Sequence, residues 1–319
     1  MRALTVSTLS PDLSGTALAD VPDAVARPGQ VLIRVKAASL NYPDLLMTRG
    51  EYQMKPPLPF VPGMEVAGEV VSGDGVAPGT AVVAGTRLGG FADLVAVDAA
   101  AVRAKPAHLS FAEAASVGTA YLTAWVALVR LARIEAGEWL LVHGATGGVG
   151  LAAVDLGHAL GAKVIATSRS PDKLATLARA YPVAATLPAP GFREEVKALT
   201  GGGADVVYDP VGGGVFDESV RCIAFGGRLL VVGFTSGRIA EISTNMPLIK
   251  GFSVVGVRAG EYGRQFPDRG RENLDAIWKL AGDGRIRPRV HAEIPLADWR
   301  QAFDAMQASD MVGKLVLVP

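Results

Sequence analysis

Between Trp139 and Gly150 the chain reads Trp-Leu-Leu-Val-His-Gly-Ala-Thr-Gly-Gly-Val-Gly, and no other stretch restricts the possible folds so much. Its first four residues are apolar. The seven from Gly144 to Gly150 carry little side-chain bulk, and Leu151, Val154, Leu156 and Leu160 then recur at helical spacing. Strand, glycine turn and helix in that order are the context that gives a glycine motif meaning. A small residue closes the tight turn, a glycine lets the backbone approach a pyrophosphate, and another lets helix and strand pack closely. Ala145, Gly147 and Gly150 occupy these places; with alanine first, the strict G-x-G-x-x-G is not met. The N–H groups and dipole at the start of such a helix attract a diphosphate. The stretch therefore predicts a dinucleotide site formed by Ala145, Thr146, Gly147, Gly148, Val149 and Gly150.

The segments around it alternate. Strands are expected at Lys163–Ser168, Val183–Leu187, Asp205–Tyr208, Gly227–Gly233 and Ser253–Arg258, and helices at Pro171–Tyr181, Phe192–Thr200 and Val215–Ala224. That alternation predicts an α/β domain with a doubly wound parallel sheet. Residues 1 to about 115 differ, with short β-type runs such as Val31–Ala37, Val66–Val71, Ala81–Ala84 and Leu94–Val97 punctuated by Gly and Pro, the pattern of a small antiparallel barrel. Helical periodicity starts at Phe111–Ser116, with Ser110 as N-cap, and resumes over Ala120–Arg133. The expected domains are 1–118, a substrate and catalytic domain; 119–258, the dinucleotide domain; and 259–319, a segment with a helix near Glu272–Gly282 that returns to complete the first.

At 319 residues two cores are expected, and 50% hydrophobic against 19% charged residues predicts a well-packed enzyme. Lys plus Arg equals Asp plus Glu at 31 each, without like-charge blocks, which argues against nucleic acid or an anionic membrane as partner. The single cysteine, Cys222, excludes an intramolecular disulfide and a thiolate-rich zinc site, and is read as a core residue in a helix. With Met1–Val6 read as a strand and no long apolar run, the expected location is cytoplasmic.

The end of the second strand selects between nicotinamide dinucleotides. An acid there bonds the ribose 2′-hydroxyl and repels a 2′-phosphate. Here the segment is Thr167-Ser168-Arg169-Ser170, with Lys173 one turn later and Asp172 too late in the chain to act. NADPH is the expected cofactor, its phosphate held by Ser168, Arg169 and Lys173; the alternative is that both cations are merely solvated.

Taken together, Asn41-Tyr42-Pro43-Asp44, Arg49-Gly50-Glu51-Tyr52, Pro59-Phe60-Val61-Pro62-Gly63-Met64-Glu65, His143–Gly150, Asp209-Pro210-Val211-Gly212-Gly213 and Gly313-Lys314 resemble the medium-chain dehydrogenase/reductase superfamily, in particular its zeta-crystallin-like quinone oxidoreductases. The resemblance spans nearly the whole chain. It implies a Rossmann domain beside a GroES-like, mainly β barrel domain. At the places where the alcohol dehydrogenase branch of that superfamily holds catalytic zinc, this chain has Asn41, Met64 and Thr119, which do not make a zinc site, so no metal is expected.

What the resemblance then implies is hydride delivery from NADPH to an acceptor that is already electrophilic, a quinone. The alternative within the enzyme class is a 2-alkenal or enoyl-thioester reductase with Tyr52 as proton donor; outside it, a non-catalytic NADPH-binding or RNA-binding protein. By resemblance Asn41 and Tyr52 line the cleft beside the nicotinamide as catalytic residues, Thr123 packs against it, and Pro210, Val211, Gly233, Phe234 and Lys314 touch the cofactor. Asp44 is read as structural or cofactor-orienting. A tyrosine contact to the adenosine phosphate from the Tyr181–Thr186 loop is in doubt. The edge strand near Ser253–Arg258 is expected to pair with its counterpart in a homodimer.

Overall fold

The computed structural model describes every residue from Met1 to Pro319. In chain order its strands are β1 Arg2–Val6, β2 Thr16–Asp20, β3 Gln30–Ser39, β4 Glu65–Gly73, β5 Ala81–Gly85, β6 Leu94–Asp98, β7 Val102–Ala104, β8 Trp139–Val142, β9 Lys163–Ser168, β10 Ala185–Pro188, β11 Ala204–Asp209, β12 Ile223–Val231, β13 Ser253–Gly256, β14 Val290–Pro295 and β15 Lys314–Val318. Contacts divide the chain into two units, residues 1–119 with 288–319, and residues 120–287.

The first unit is built on a seven-stranded sheet in which β14, β15, β3, β4, β5 and β7 follow one another, with β6 also paired to β3. Its pairings are antiparallel except β14 with β15. Val31, Ile33 and Val35 alternate along β3 into the core, as one buried face of a sheet requires. The helix Trp299–Gln307 closes that core. Its buried residues, Trp299, Ala302, Phe303 and Met306, fall at helical spacing, and Phe303 meets both Phe91 and Trp299 edge to face.

The second unit holds the six-stranded parallel sheet in the order β10-β9-β8-β11-β12-β13. Leu140, Leu141, Val142, Val206, Val207 and Tyr208 in its two central strands are fully buried, the unbroken apolar run of strands covered on both faces. Strand order reverses between β8 and β11, and ligands bind in the crevice at the carboxyl ends of strands at such a point.

Four expectations are corrected. Residues 259–287, including the helix Pro267–Gly282, pack in the second unit and not with the first; the buried face of that helix, with Asn273, Ile277 and Ala281, is tied there by Arg130, whose Nε donates to Asn273 Oδ1 at 2.7 Å. The helix after β11 spans only Gly213–Ser219, because β12 already begins at Ile223. Cys222 therefore sits in the turn between them, still buried, where desolvation pushes its thiol up to about 12. The helix expected over Ala120–Arg133 is α-helical only over Gly118–Trp125 and continues with wider π-type winding to Leu131.

Asp155 anchors both ends of the second unit. Its Oδ2 accepts from Tyr121 Oη and from Arg287 N, each at 2.6 Å, while Tyr181 Oη donates to Arg287 O at 2.5 Å. Tyr121 and Arg287 lie next to the points where the chain enters and leaves this unit, so one buried carboxylate fixes both.

Candidate active site

The carboxyl edge of the parallel sheet gathers most of the residues expected to bind a cofactor. The Gly144–Gly147 turn follows β8, Ser168 ends β9, Pro210 and Val211 follow β11, and Gly233 and Phe234 follow β12. Ala145 N donates to Thr167 O at 3.0 Å and joins the turn to β9. Thr146 Oγ1 lies 3.3 Å from Ser168 Oγ across the same gap. Gly147 is the N-cap of the helix Gly148–Ala159, whose first intrahelical bond runs from Leu151 N to Gly147 O. The N–H groups of Gly148, Val149 and Gly150 precede that bond and form a ready anion cradle. Its residues fit a dinucleotide diphosphate: a Cβ on Gly150 would overlap the Gly144 carbonyl oxygen and come within 2.9 Å of Ala145 Cα.

The rest of the edge is braced by Asp209. Its Oδ1 accepts from Val211 N at 2.8 Å and Gly212 N at 2.9 Å, while burial raises the carboxyl above its usual range. Gly212, at φ 69°, leaves room for the Phe234 ring, which is 41% exposed beside it. Thr235 N and Ser236 N donate to Pro210 O and Val211 O and stitch the two turns together. Arg169 is exposed in the turn after β9; Lys173, less exposed, lies in the first turn of the helix Pro171–Ala180. Thr123 lies half-buried in the helix Gly118–Trp125.

His143, between β8 and the turn, is fully buried against Phe192, and burial pushes its imidazole down to about 3. Its Nδ1 is 2.8 Å from Thr167 Oγ1 and its Nε2 2.7 Å from Ser219 Oγ. Ser219 donates its only proton to Val215 O at 2.7 Å, so Nε2 carries the ring proton and Nδ1 accepts from Thr167. The ring links the ends of β8, β9 and the helix Gly213–Ser219.

In the first unit the polar residues form a buried cluster. Asn41 caps the short helix Tyr42–Arg49, which sequence periodicity does not announce. Asp44 returns to the start of this helix, accepting from Asn41 N at 2.9 Å and from Gly63 N at 3.0 Å. Burial pushes the Asp44 carboxyl up to about 7 against those two donors. The Asn41 amide donates from Nδ2 to Glu65 Oε1 at 2.9 Å and Ser39 O at 3.2 Å. Its Oδ1 accepts from Lys314 Nζ at 2.6 Å, and that ammonium also reaches Glu65 Oε1 at 3.3 Å. Glu65 Oε2 accepts from Thr119 N at 2.7 Å. Tyr52 lies in the loop after that helix, half-buried beside Val6, Met47 and Phe60.

Comparison with known proteins agrees with this architecture. Residues 27–107 match the alcohol dehydrogenase GroES-like domain, and residues 148–278 match the zinc-binding dehydrogenase family. A quinone oxidoreductase-like protein 2 homolog from Nematostella vectensis is 36% identical over 301 residues, 90% of this chain and 81% of that protein. The chain belongs to the quinone oxidoreductase group of the medium-chain dehydrogenase/reductases. The quinone oxidoreductase from Thermus thermophilus, solved also in complex with NADPH, superposes with a TM-score of 0.87 and 31% identity over 100% of both chains. Polyketide synthase GfsB from Streptomyces halstedii is 39% identical over 300 residues, which is 91% of this chain and 5% of that protein.

The zinc of the matching family's description finds no ligand set in this oxidoreductase. The Asn41 amide is held by Glu65 and Lys314, and an ammonium 2.6 Å from its oxygen repels a second cation. Two of the expected site residues are engaged by protein partners. Asn41 has both N–H groups engaged by protein acceptors, so it has none to donate to a reacting oxygen. Lys314, expected at the cofactor, is buried in an ion pair with Glu65. Glu65 and Asp155 went unassigned in the sequence; the available signal was an acid set among apolar residues, in Met-Glu-Val-Ala and in Ala-Val-Asp-Leu.

Proposed function

We propose that this oxidoreductase transfers hydride from NADPH to a quinone without a metal, and releases the hydroquinone after uptake of a proton. The observation that carries the reading is the Asn41–Glu65–Lys314 cluster: the polar centre of the first unit is filled by an ion pair, so no Lewis acid is built to polarise an unactivated carbonyl. Bound NADPH supplies the hydride. The chain supplies the cradle of Gly148, Val149 and Gly150 for the diphosphate, Ser168, Arg169 and Lys173 for the 2′-phosphate, and the Pro210–Val211 and Gly233–Phe234 turns along the cofactor. The NADPH complex of the Thermus relative supports the cofactor assignment.

Arg169→Ala is expected to lower kcat/KM for NADPH roughly 10- to 150-fold, the loss of one charge-assisted bond of about 1.5–3 kcal/mol, with the NADH value little altered. Steady-state kinetics with both nucleotides decide this, and an unchanged NADPH preference removes Arg169 from the phosphate site.

Likeness to a polyketide synthase favours a second reading, reduction of an enone or enoyl thioester with Tyr52 as proton donor. A panel of 1,2-naphthoquinone, a simple enone and crotonyl-CoA separates the two. On this second reading Tyr52→Phe slows the enone at least tenfold; on the quinone reading it changes naphthoquinone turnover less than threefold.

We propose also that β13 pairs with its counterpart in a second copy. It ends the parallel sheet, and Ser253, Val254 and Gly256 are exposed along it. Light scattering at micromolar concentration is expected to give twice the 33.0 kDa chain mass; a monomer refutes the pairing.

A further inference from the structure

His143 is a polar residue in an apolar place. Phe192, whose ring centroid lies 4.7 Å from that of His143, belongs to a core with Leu141, Ile165, Val207 and Phe216. An apolar side chain would fill the position without the cost of desolvating an imidazole. Neither hydroxyl bonded to the ring depends on it for a partner: Thr167 Oγ1 lies 3.4 Å from Val142 O, and Ser219 Oγ donates to Val215 O at 2.7 Å. What the ring adds is a fixed span. A rigid plane, with Nδ1 2.8 Å from Thr167 Oγ1 and Nε2 2.7 Å from Ser219 Oγ, sets the separation of β9 from the helix Gly213–Ser219. The backbone N–H of His143 meanwhile donates to Tyr208 O at 3.0 Å and holds the residue to β11.

Each segment fixed in this way runs to the edge where the cofactor binds. His143 leads directly into the Gly144–Gly147 turn. Thr167 accepts from Ala145 N at 3.0 Å, so one residue holds the turn with its carbonyl and the ring with its hydroxyl. Ser168 follows it and ends β9. Ser219 ends the helix that begins at Gly213, directly after the Pro210–Gly212 turn. Its neighbour Glu218 accepts from Gly191 N at 3.0 Å and Arg193 N at 2.9 Å, which ties the corner carrying Phe192 to the same helix. A buried polar network with every member satisfied specifies one arrangement of the elements that it joins.

We propose that His143 is a positioning residue for the dinucleotide: through Thr167 and Ser219 its ring sets the spacing of the glycine turn, the end of β9 and the Pro210–Gly212 turn, and presents these segments to the cofactor in one register. The proposal rests on the placement of the diphosphate given above. NADPH and NADH share that diphosphate, so both depend on the ring alike, unlike a contact to the 2′-phosphate.

The test compares His143→Phe, which fills the space without a hydrogen bond, with His143→Gln, which keeps an N–H for Ser219 and an oxygen for Thr167. Calorimetric Kd values at neutral pH are expected to rise about tenfold in His143→Phe for NADPH and NADH alike, and to return most of the way in His143→Gln. In the free protein the Ala145 amide hydrogen is expected to exchange about tenfold faster in His143→Phe, while the amides of Leu140–Val142 keep their protection. A folded His143→Phe protein that binds both nucleotides within about twofold of wild type overturns the proposal, as does a glutamine variant that binds no better than the phenylalanine one. Should His143→Phe not fold, Thr167→Val decides. Valine keeps the branched shape and removes the hydroxyl that meets Nδ1, and it is expected to weaken both nucleotides about fivefold; wild-type affinity in that variant overturns the proposal. Gly147→Ala, measured alongside, separates the two ideas. Wild-type affinity there refutes the placement of the diphosphate and this proposal with it, whereas a weakened Gly147→Ala beside an unchanged His143→Phe refutes this proposal alone.

Discussion

Gly150→Ala is expected to weaken NADPH binding at least 100-fold and to destabilise the fold, whereas Gly147→Ala is expected to weaken binding with little change in stability. At Gly150 an added Cβ runs into the Gly144 carbonyl oxygen and lies 2.8 Å from its carbon and 2.9 Å from Ala145 Cα. All three are backbone atoms, so no side chain can yield, and the helix Gly148–Ala159 must draw away from the end of β8. The N–H groups of Gly148 and Val149 then leave the diphosphate. Each charge-assisted hydrogen bond lost there costs about 1.5–3 kcal/mol, and the helix-terminus contribution adds up to about 2 kcal/mol. Two lost bonds alone reach roughly 100-fold or more. At Gly147 the nearest atom to an added Cβ is the same carbonyl oxygen at 3.4 Å, an ordinary contact, in a φ of −82° open to any residue. The methyl group would instead face the place where the backbone approaches the ligand. Calorimetric Kd values for NADPH beside thermal melts of both variants separate the two effects. A Gly150→Ala protein that binds within tenfold of wild type would sink the assignment of this turn.

The parallel sheet was legible because its signals are local. β9 matches its expected span, Lys163–Ser168, since it is a short apolar run with a clear polar boundary. The glycine turn could be located because strand, turn and helix are consecutive. The helix Tyr42–Arg49 was not, because Asp44 and Thr48 are buried on the same element as Leu45 and Met47, so its buried face does not read as apolar. The polar cluster was the least legible part. Asn41 meets Glu65 24 residues away and Lys314 273 residues away, and nothing in the spacing of either pair registers a contact made by folding. Asn41 is singled out by its motif, yet a residue type gives no sign of which amide hydrogens a neighbour will consume. The placement of residues 259–287 failed for a related reason: the helix Pro267–Gly282 has an amphipathic pattern that would suit either core, and the choice is made by Arg130 and by the Arg287 backbone, whose N–H and carbonyl are bound by Asp155 and Tyr181.

Acid should act on this protein partly through one ring. His143 has a folded pKa of about 3 against an ordinary value of 6.5, because it is buried with only hydroxyls and the Phe192 ring around it. A folded pKa below the unfolded one means that the unfolded chain binds the proton more readily. Its contribution to stability is therefore complete above about pH 6.5 and is lost progressively as pH falls from there toward 3. At pH 4.5 the unfolded state has gained about 2–3 kcal/mol from this group alone, at about 1.4 kcal/mol per pH unit. Asp44 works in the opposite sense, its carboxyl raised to about 7, so that protonation as pH falls below 7 relieves the cost of burying its charge. The raw acid profile of wild type thus mixes both signs, and His143→Gln separates them. Glutamine cannot take up a proton, yet keeps an N–H for Ser219 and an oxygen for Thr167. The variant is expected to be less stable than wild type at pH 7.5, and the gap to close by about 2–3 kcal/mol at pH 4.5, measured by urea denaturation at both values. A gap of the same size at the two pH values would mean that the imidazole is solvated or already charged in the folded protein. The hydrogen-bonded link that it makes between β8, β9 and the helix Gly213–Ser219 would then fail with it, because a protonated ring has no acceptor to offer Thr167.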